Sequence, residues 1–310
     1  MTVSIPGFNQ LELIHESGPR IIYRAQRESD GAPVLIKTLR GPYPSNRELA
    51  EIRHEFNVLD KLDIEGVSRV YTLASYGEDN LAIAMEPFGI SLSDLIDQRE
   101  GQRLPLDQCL AIAIKVAQIL GQLHEQDFVH KDIKPSNILI EPESGELRLI
   151  DFGITSELSR ERQSIILPDR LEGSLAYISP EQTGRMNRDL DYRSDYYSLG
   201  ITLFELLTGK LPFHANNSME WVHRHISQPA PQAHDIVADV PEQLSQIVSK
   251  LMAKNAEDRY QSTYGLIADL ERCKNEYAEK GSIKPFELGQ VDISRKFFIP
   301  QTLYGRETEL

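Results

Sequence analysis

Between His130 and Gly153 the chain reads HKDIKPSNILI, a short polar bridge, and then LRLIDFG. Asp132, Lys134, Asn137 and Asp151 all fall in this stretch, three oxygen-bearing side chains and one cation. Hard oxygen ligands of this kind suit Mg²⁺, and an ammonium close by suits a phosphoryl group. Asp and Asn also favour turns and caps for local reasons, so residue type alone leaves an Asx-rich turn open. The intervening residues argue for more. Ile138-Leu139-Ile140 is an apolar, β-branched run, and Leu147-Arg148-Leu149-Ile150 has the same character. Between them Pro142, Ser144 and Gly145 mark a turn. A polar loop feeding a hairpin would set Asp132 before the first strand, Asn137 at its start and Asp151 just past the second, on one rim.

HKDIKPSN resembles the catalytic loop H-R-D-x-K-x-x-N of the eukaryotic-type protein kinases, and Asp151-Phe152-Gly153 resembles their DFG element. The resemblance spans roughly residues 8 to 275. It implies an α+β, bilobal fold: a β-rich N-lobe with one main helix over 1–88 and a mostly helical C-lobe over 89–278. It also implies transfer of the γ-phosphoryl group of ATP to Ser or Thr hydroxyls of a protein substrate. On that pattern Asp132 is the base, Lys134 stabilises charge on the transferred group, and Asn137 and Asp151 hold Mg²⁺ between the phosphates. Such chemistry asks mainly that two anionic reactants be held in line. Lys131 stands where the family often has an arginine that reads a phosphate on the activation loop. Lysine lacks the bidentate fork, which implies weaker dependence on loop phosphorylation.

The elements that must position these groups begin with three strand-like runs, LELIHE, RIIYRAQRE and PVLIKTL. The family's glycine-rich phosphate loop belongs in the first hairpin, where bare backbone amides approach ATP. The matching positions here are His15, Ser17 and Arg20, and the only glycine is Gly18. Ser17 and Arg20 could serve a phosphate, or Pro19 and Arg20 could simply stiffen a hairpin tip. Lys37 closes the run Val34-Leu35-Ile36, where a lysine usually snorkels to solvent. Glu55 changes that reading, because Leu49, Ile52, Phe56, Leu59 and Leu62 fall at helical spacing around it. The resemblance pairs Lys37 with Glu55 to orient the α- and β-phosphates. It adds Ile14, Ile22 and Leu139 to the ATP site, and it has the Glu86 carbonyl and Phe88 amide hold adenine, with Met85 behind. Leu35 replaces the family's usual alanine beneath the base, which crowds the base or is absorbed by repacking.

Further on the pattern is helical. SLSDLIDQ opens like a capping box, and Leu106 to His124 reads as a long apolar-faced helix beginning at Asp107. Ile154 to Leu175 is polar and reads as a loop. It runs into GSLAYISPE, which resembles the close of the activation segment, with Ser174 for Thr and Ser179 for Ala. By the same resemblance Glu181 pairs with Arg259, and Asp195 braces the catalytic-loop backbone. ITLFELLTGKLPF reads as a buried helix ending at Gly209, followed by helices over 219–226, 241–253 and 262–278. From 279 the apolar residues lose helical period. Ile299 to Glu307 resembles the entry to an NTPase domain, as in large bacterial signalling proteins that join a kinase, an NTPase, a sensor and a histidine kinase. That predicts a linker and the start of an NTPase domain over 279–310, with NTPase and sensor domains as partners in a longer chain.

Composition is that of a globular protein, 40% hydrophobic and 26% charged residues. A formal charge of −14 argues against nucleic acid or an anionic membrane as the main partner. Cys109 and Cys273 lack metal-type spacing, and the N-terminus has no signal-peptide pattern. The longest apolar stretches contain Lys115 and Glu205 and are too short to span a bilayer, so a soluble, cytoplasmic protein without membrane insertion is expected. Two other readings stand beside the kinase. The degenerate loop and Leu35 suit a catalytically weak, kinase-like scaffold or nucleotide-binding module. A small-molecule phosphotransferase of related fold fits less well, since Ser179-Pro180-Glu181 with Arg259 suggests a platform for protein substrates.

Overall fold

A computed structural model of the chain describes residues 4–41, 43–157, 174–186 and 189–293. The described residues of Met1–Leu95 and Pro135–Thr155 form one compact unit, and those of Ile96–Lys134 and Ser156–Leu310 a second. The hairpin after the catalytic-type loop belongs to the same unit as the N-terminal strands.

The first unit is built on β1 (Phe8–Ser17), β2 (Arg20–Arg27), β3 (Pro33–Leu39), β4 (Val70–Tyr76) and β5 (Asn80–Met85), in the order β1-β2-β3-β5-β4. Neighbours pair antiparallel throughout. Strand alternation sorts β3 onto two faces. Val34 and Ile36 pack with Ile5, Phe8, Ala25, Ala82 and Ala84. Leu35 and Leu39 turn the other way, into a layer with Ile52, Ile83 and Met85. Lys37 shares this second face. Over it lies α1 (Asn46–Leu59), which starts with a capping box: Ser45 Oγ accepts from the Glu48 amide and Glu48 accepts from the Ser45 amide. Its buried residues Ile52, Glu55, Val58 and Leu59 recur at helical spacing, so Glu55 faces the sheet with the apolar stripe. The helix stops before Leu62.

A second sheet of the same unit joins β6 (Ile90–Ser91), which runs into α2 (Leu92–Asp97), to β8 (Ile138–Ile140) and β9 (Leu147–Leu149), in the order β6-β8-β9. Leu149 is tied to the segment after α1, its amide donating to Gly66 O at 2.7 Å and its carbonyl accepting from the Ser68 amide at 3.2 Å. Gly89 sets the entry to β6. Its φ is +30°, and a Cβ there would meet Ile140 O at 2.1 Å, so only glycine fits.

The second unit is mostly helical: α3 (Leu106–Glu125), β7 (Phe128–Val129) paired with β10 (Ser156–Glu157), then α4 (Arg193–Thr208), α5 (Ser218–Ser227), α6 (Ala233–Ile236), α7 (Glu242–Leu251) and α8 (Thr263–Lys280). α3 begins at Leu106 after Pro105 and takes no side-chain cap, so Asp107 sits in its first turn instead of capping it. At 20 residues α3 is longer than the apolar stretch read from sequence, and by length and composition alone it could cross a membrane. Its apolar side chains are instead buried within the unit, where α3 packs along α8. α4 is buried along nearly its whole length and ends on Gly209, whose φ of +71° lets its amide cap Glu205 O.

Residues 282–293, in the segment expected as a linker, are tied to this unit. Phe286 exchanges two hydrogen bonds with Gln243, and Asp292 accepts from the Gln261 and Ser262 amides. The apolar residues there follow no period because they dock through backbone and cap contacts, not as a helix. Ile299 to Glu307 lies outside the described residues.

Candidate active site

In the first unit, Lys37 Nζ lies 2.6 and 2.7 Å from the two carboxylate oxygens of Glu55 and 3.0 Å from Asp151 Oδ1. Lys37 and Glu55 are 6% and 1% exposed, so neither charge is tolerable without the other. Burial alone would strip the proton from Lys37, but the carboxylates of Asp151 and Glu55 outweigh it and raise the pKa. The pair forms because β3 alternation and the α1 stripe turn both residues to the same layer.

The hairpin β8–β9 delivers Asn137 and Asp151. Ile138 pairs with Leu149, and the Ile150 amide donates to Asn137 O at 3.0 Å, so Asn137 and Asp151 leave from its open end. Asp151 has φ +68°, a conformation that costs a non-glycine residue energy and that Asp tolerates better than most. Phe152 beside it is fully buried. His54, next to Glu55 on α1, holds the segment just beyond Gly153 through its Nε2, 2.6 Å from Thr155 O. Nothing in the sequence pattern singles out His54.

Arg20 is the larger surprise. Its Nη1 lies 2.8 and 2.6 Å from the two carboxylate oxygens of Asp151, and Nη2 lies 3.7 Å from Glu51. β1 and β2 join through a two-residue turn, Gly18-Pro19, with Ser17 opposite Arg20. Arg20 and Ile22 pair with Leu39 and Lys37 on β3, so all four share the face that carries Lys37. Sequence reading placed Arg20 toward a phosphate or in a stiff turn, and the structure brings it to Asp151. Ile14 sits at a register shift in β1 and is 41% exposed. Ile22 and Leu139 are half-buried on β2 and β8. The Glu86 carboxylate is bound by Arg148, whose guanidinium also lies 4.4 Å from the centre of the Phe88 ring. This fixes the segment whose backbone was expected to face adenine. Leu35 is absorbed into the α1-facing layer.

In the second unit, Lys134 Nζ lies 2.7 Å from Asp132 Oδ2 and 2.5 Å from Ser174 Oγ, and the Ser174 amide donates to Asp132 Oδ1 at 2.9 Å. The loop carrying Asp132 rests on Asp195, buried in α4. Asp195 accepts from the His130 and Lys131 amides at 3.0 and 2.8 Å, and its Oδ2 lies 2.8 Å from His124 Nε2. Lys131, with φ +69°, turns its amide into that bond. Burial opposes the Asp195 charge, but these donors hold its pKa below the usual carboxylate value. Gln182 donates to Lys131 O at 2.8 Å and Thr202 to Ile133 O at 3.2 Å, further supports that no local sequence signal marks. Glu181 and Arg259 meet through paired bonds of 2.6 and 2.8 Å. Burial would raise the Glu181 pKa, yet the Arg259 charge and the Ser194 hydroxyl hold it down at about 2.

Asp151 and Asn137 offer hard oxygens, a donor set that fits Mg²⁺, which retains water and phosphate ligands besides one or two from protein. Among the described residues no three His, Cys, Asp or Glu side chains gather as a metal cluster. The neighbouring cation Arg20 is the feature that fit must accommodate.

The protein kinase domain family model matches residues 18–268. The chain belongs to the protein kinase family. The kinase domain is 31% identical to a probable serine/threonine-protein kinase of Clostridium perfringens, over 87% of this chain and 38% of the relative. It is 32% identical to serine/threonine-protein kinase PrkC of Bacillus subtilis, over 84% and 39%. It is 28% identical to hybrid signal transduction histidine kinase G of Dictyostelium discoideum, over 70% and 9%. The chain thus spans about two fifths of the two bacterial relatives and a small part of the third. Its α+β fold, a β-rich lobe with one main helix and a helical lobe, is that of the family.

Proposed function

We propose that this kinase domain transfers the γ-phosphoryl group of Mg-ATP to serine or threonine hydroxyls of a protein substrate. The observation that carries the reading is the Asp132–Lys134–Ser174 constellation. A carboxylate fixed by an ammonium and a backbone amide is poised to orient a hydroxyl and accept its proton, while the ammonium serves the anionic group in flight. Lys37, held by Glu55, would orient the α- and β-phosphates. Asn137 and Asp151 would hold Mg²⁺, which when bound neutralises charge between the phosphates. Ile14, Ser17, Ile22 and Leu139, with the backbone of Glu86 and Phe88, would line the nucleotide site. The Ser17 side chain lies outside what the structure describes. Asp195 keeps the loop amides in place, and the Glu181–Arg259 pair anchors the segment that follows Ser174.

We also infer a role in signal transduction as the kinase part of a longer protein with NTPase and sensor modules. The likeness to a hybrid histidine kinase and the sequence of Ile299 to Glu307 support it. One observation favours a second reading, a nucleotide-binding or scaffolding module with weak transfer: the Arg20 guanidinium rests on Asp151. Transfer of labelled phosphate from ATP to a generic protein substrate, wild type against Asp132→Asn, separates the two. Transfer lost in the variant supports the kinase, and nucleotide binding with equal background in both supports the scaffold.

A further inference from the structure

We propose that Arg20 is a built-in counter-cation for Asp151, so that a divalent metal binds this chain only by displacing the Arg20 guanidinium. The inference rests on the Mg-ATP reading of Asp151 and adds a control to it. Arg20 Nη1 stands in front of the carboxylate, 2.8 Å from Oδ1 and 2.6 Å from Oδ2, where a cation liganding either oxygen would stand. Oδ1 is also engaged by Lys37 at 3.0 Å. A Mg²⁺ ion bonds its oxygens at about 2.0–2.1 Å and would repel a guanidinium held that close, so the two occupants exclude one another.

The charges around the site point the same way. Asp151 and Glu55 face Lys37 and Arg20, while Glu51, 3.7 Å from Arg20, is held more closely by Arg47 at 3.0 Å. Lys37 makes two short bonds to Glu55 and reaches one Asp151 oxygen at 3.0 Å, whereas Arg20 meets both Asp151 oxygens at 2.8 and 2.6 Å. Withdrawing Arg20 leaves Asp151 and Glu55 sharing the one Lys37 ammonium and makes the site more attractive to a divalent ion. The contact is also releasable. Arg20 and Asp151 side chains are 26% and 18% exposed, and Arg20 sits at the tip of a hairpin whose turn, Gly18-Pro19, is exposed. A Lys37–Glu55 pair at 8% and 2% exposure has no such freedom.

The test measures metal dependence of nucleotide binding, not turnover. The affinity for the non-hydrolysable analogue AMP-PNP is titrated calorimetrically at graded free Mg²⁺, and the Mg²⁺ concentration giving half the gain in affinity is recorded. Arg20→Gln lowers that concentration about tenfold, the factor that 1.4 kcal/mol makes, and Arg20→Lys, which keeps charge but loses the fork, falls between. Asp151→Asn removes the Mg²⁺-dependent gain in either background. A half-point unchanged or raised in Arg20→Gln, with the gain still lost in Asp151→Asn, overturns the proposal and leaves the metal assignment standing. A gain that survives Asp151→Asn overturns the metal assignment itself and the proposal with it.

Discussion

Arg259 is fully buried, and its five guanidinium N–H groups meet five acceptors. Nε donates to Ala253 O, Nη1 to Glu181 Oε1 and Arg193 O, and Nη2 to Glu181 Oε2 and Lys254 O, at 2.6–3.1 Å. Glu181→Gln removes the only carboxylate in that set and leaves a guanidinium charge in the interior. Breaking a buried pair from one side costs about 3–5 kcal/mol, roughly a fifth or more of the total stability of a typical domain. The proton balance gives the same size. A shift from 4.5 to about 2 is worth about 3 kcal/mol. Because the folded pKa is the lower one, this stabilisation is complete above pH 4.5 and is lost as the pH falls through about 2. Arg259→Met with Glu181→Leu removes both charges and should be closer to wild type than either single change. The assay is urea unfolding followed by fluorescence of Trp221, the chain's one tryptophan, which lies on α5 of the same unit. A cost below about 1 kcal/mol for Glu181→Gln, or a double variant as damaged as the sum of the singles, would refute the reasoning.

Two further predictions follow from the same geometry. His225 accepts the Tyr197 hydroxyl proton at Nδ1 and donates from Nε2 to Leu175 O, and burial followed by the Lys254 charge depresses its pKa to about 3. The unfolded chain therefore takes up a proton first, and stability of the helical unit falls as pH drops from 6.5 toward 3. Trp221, stacked on His225, reports it in acid titrations, and a flat profile across that window contradicts the burial argument. Lys37→Met strands Glu55 in the interior and removes the ammonium proposed to orient the α- and β-phosphates, so AMP-PNP affinity should fall at least about tenfold by calorimetry. An unchanged affinity would remove Lys37 from the nucleotide site.

How much of this could be read from sequence depended on whether the interaction follows a local period. Helical spacing marked Glu55 as lying beside the apolar stripe, but its pairing with Lys37 came from the family resemblance, since a lysine closing a strand usually snorkels to solvent. The β8–β9 hairpin was legible from its apolar runs and turn. β4 was not, because Val70–Tyr76 is only partly buried and lacks a clear alternation. Arg20 on Asp151 was out of reach: the two are 131 residues apart, and an arginine at a turn carries no sign of its partner. The clasp of Arg148 on Glu86 and the bond from His54 to Thr155 are of the same kind, long-range and set by tertiary packing alone. Ser174, by contrast, was marked by motif spacing, and its contacts with Asp132 and Lys134 follow from the turn of the segment that carries it.

The proposed function makes Asp132 the residue on which phosphoryl transfer turns. Transfer from γ-labelled ATP to a protein substrate, with the labelled amino acid identified and wild type compared with Asp132→Asn, tests the account most directly. The account predicts phosphoserine or phosphothreonine formed by the wild type and a loss of about 10²-fold or more in the variant, the scale of a missing general base. Equal labelling by both proteins, or label confined to other acceptors, would contradict it.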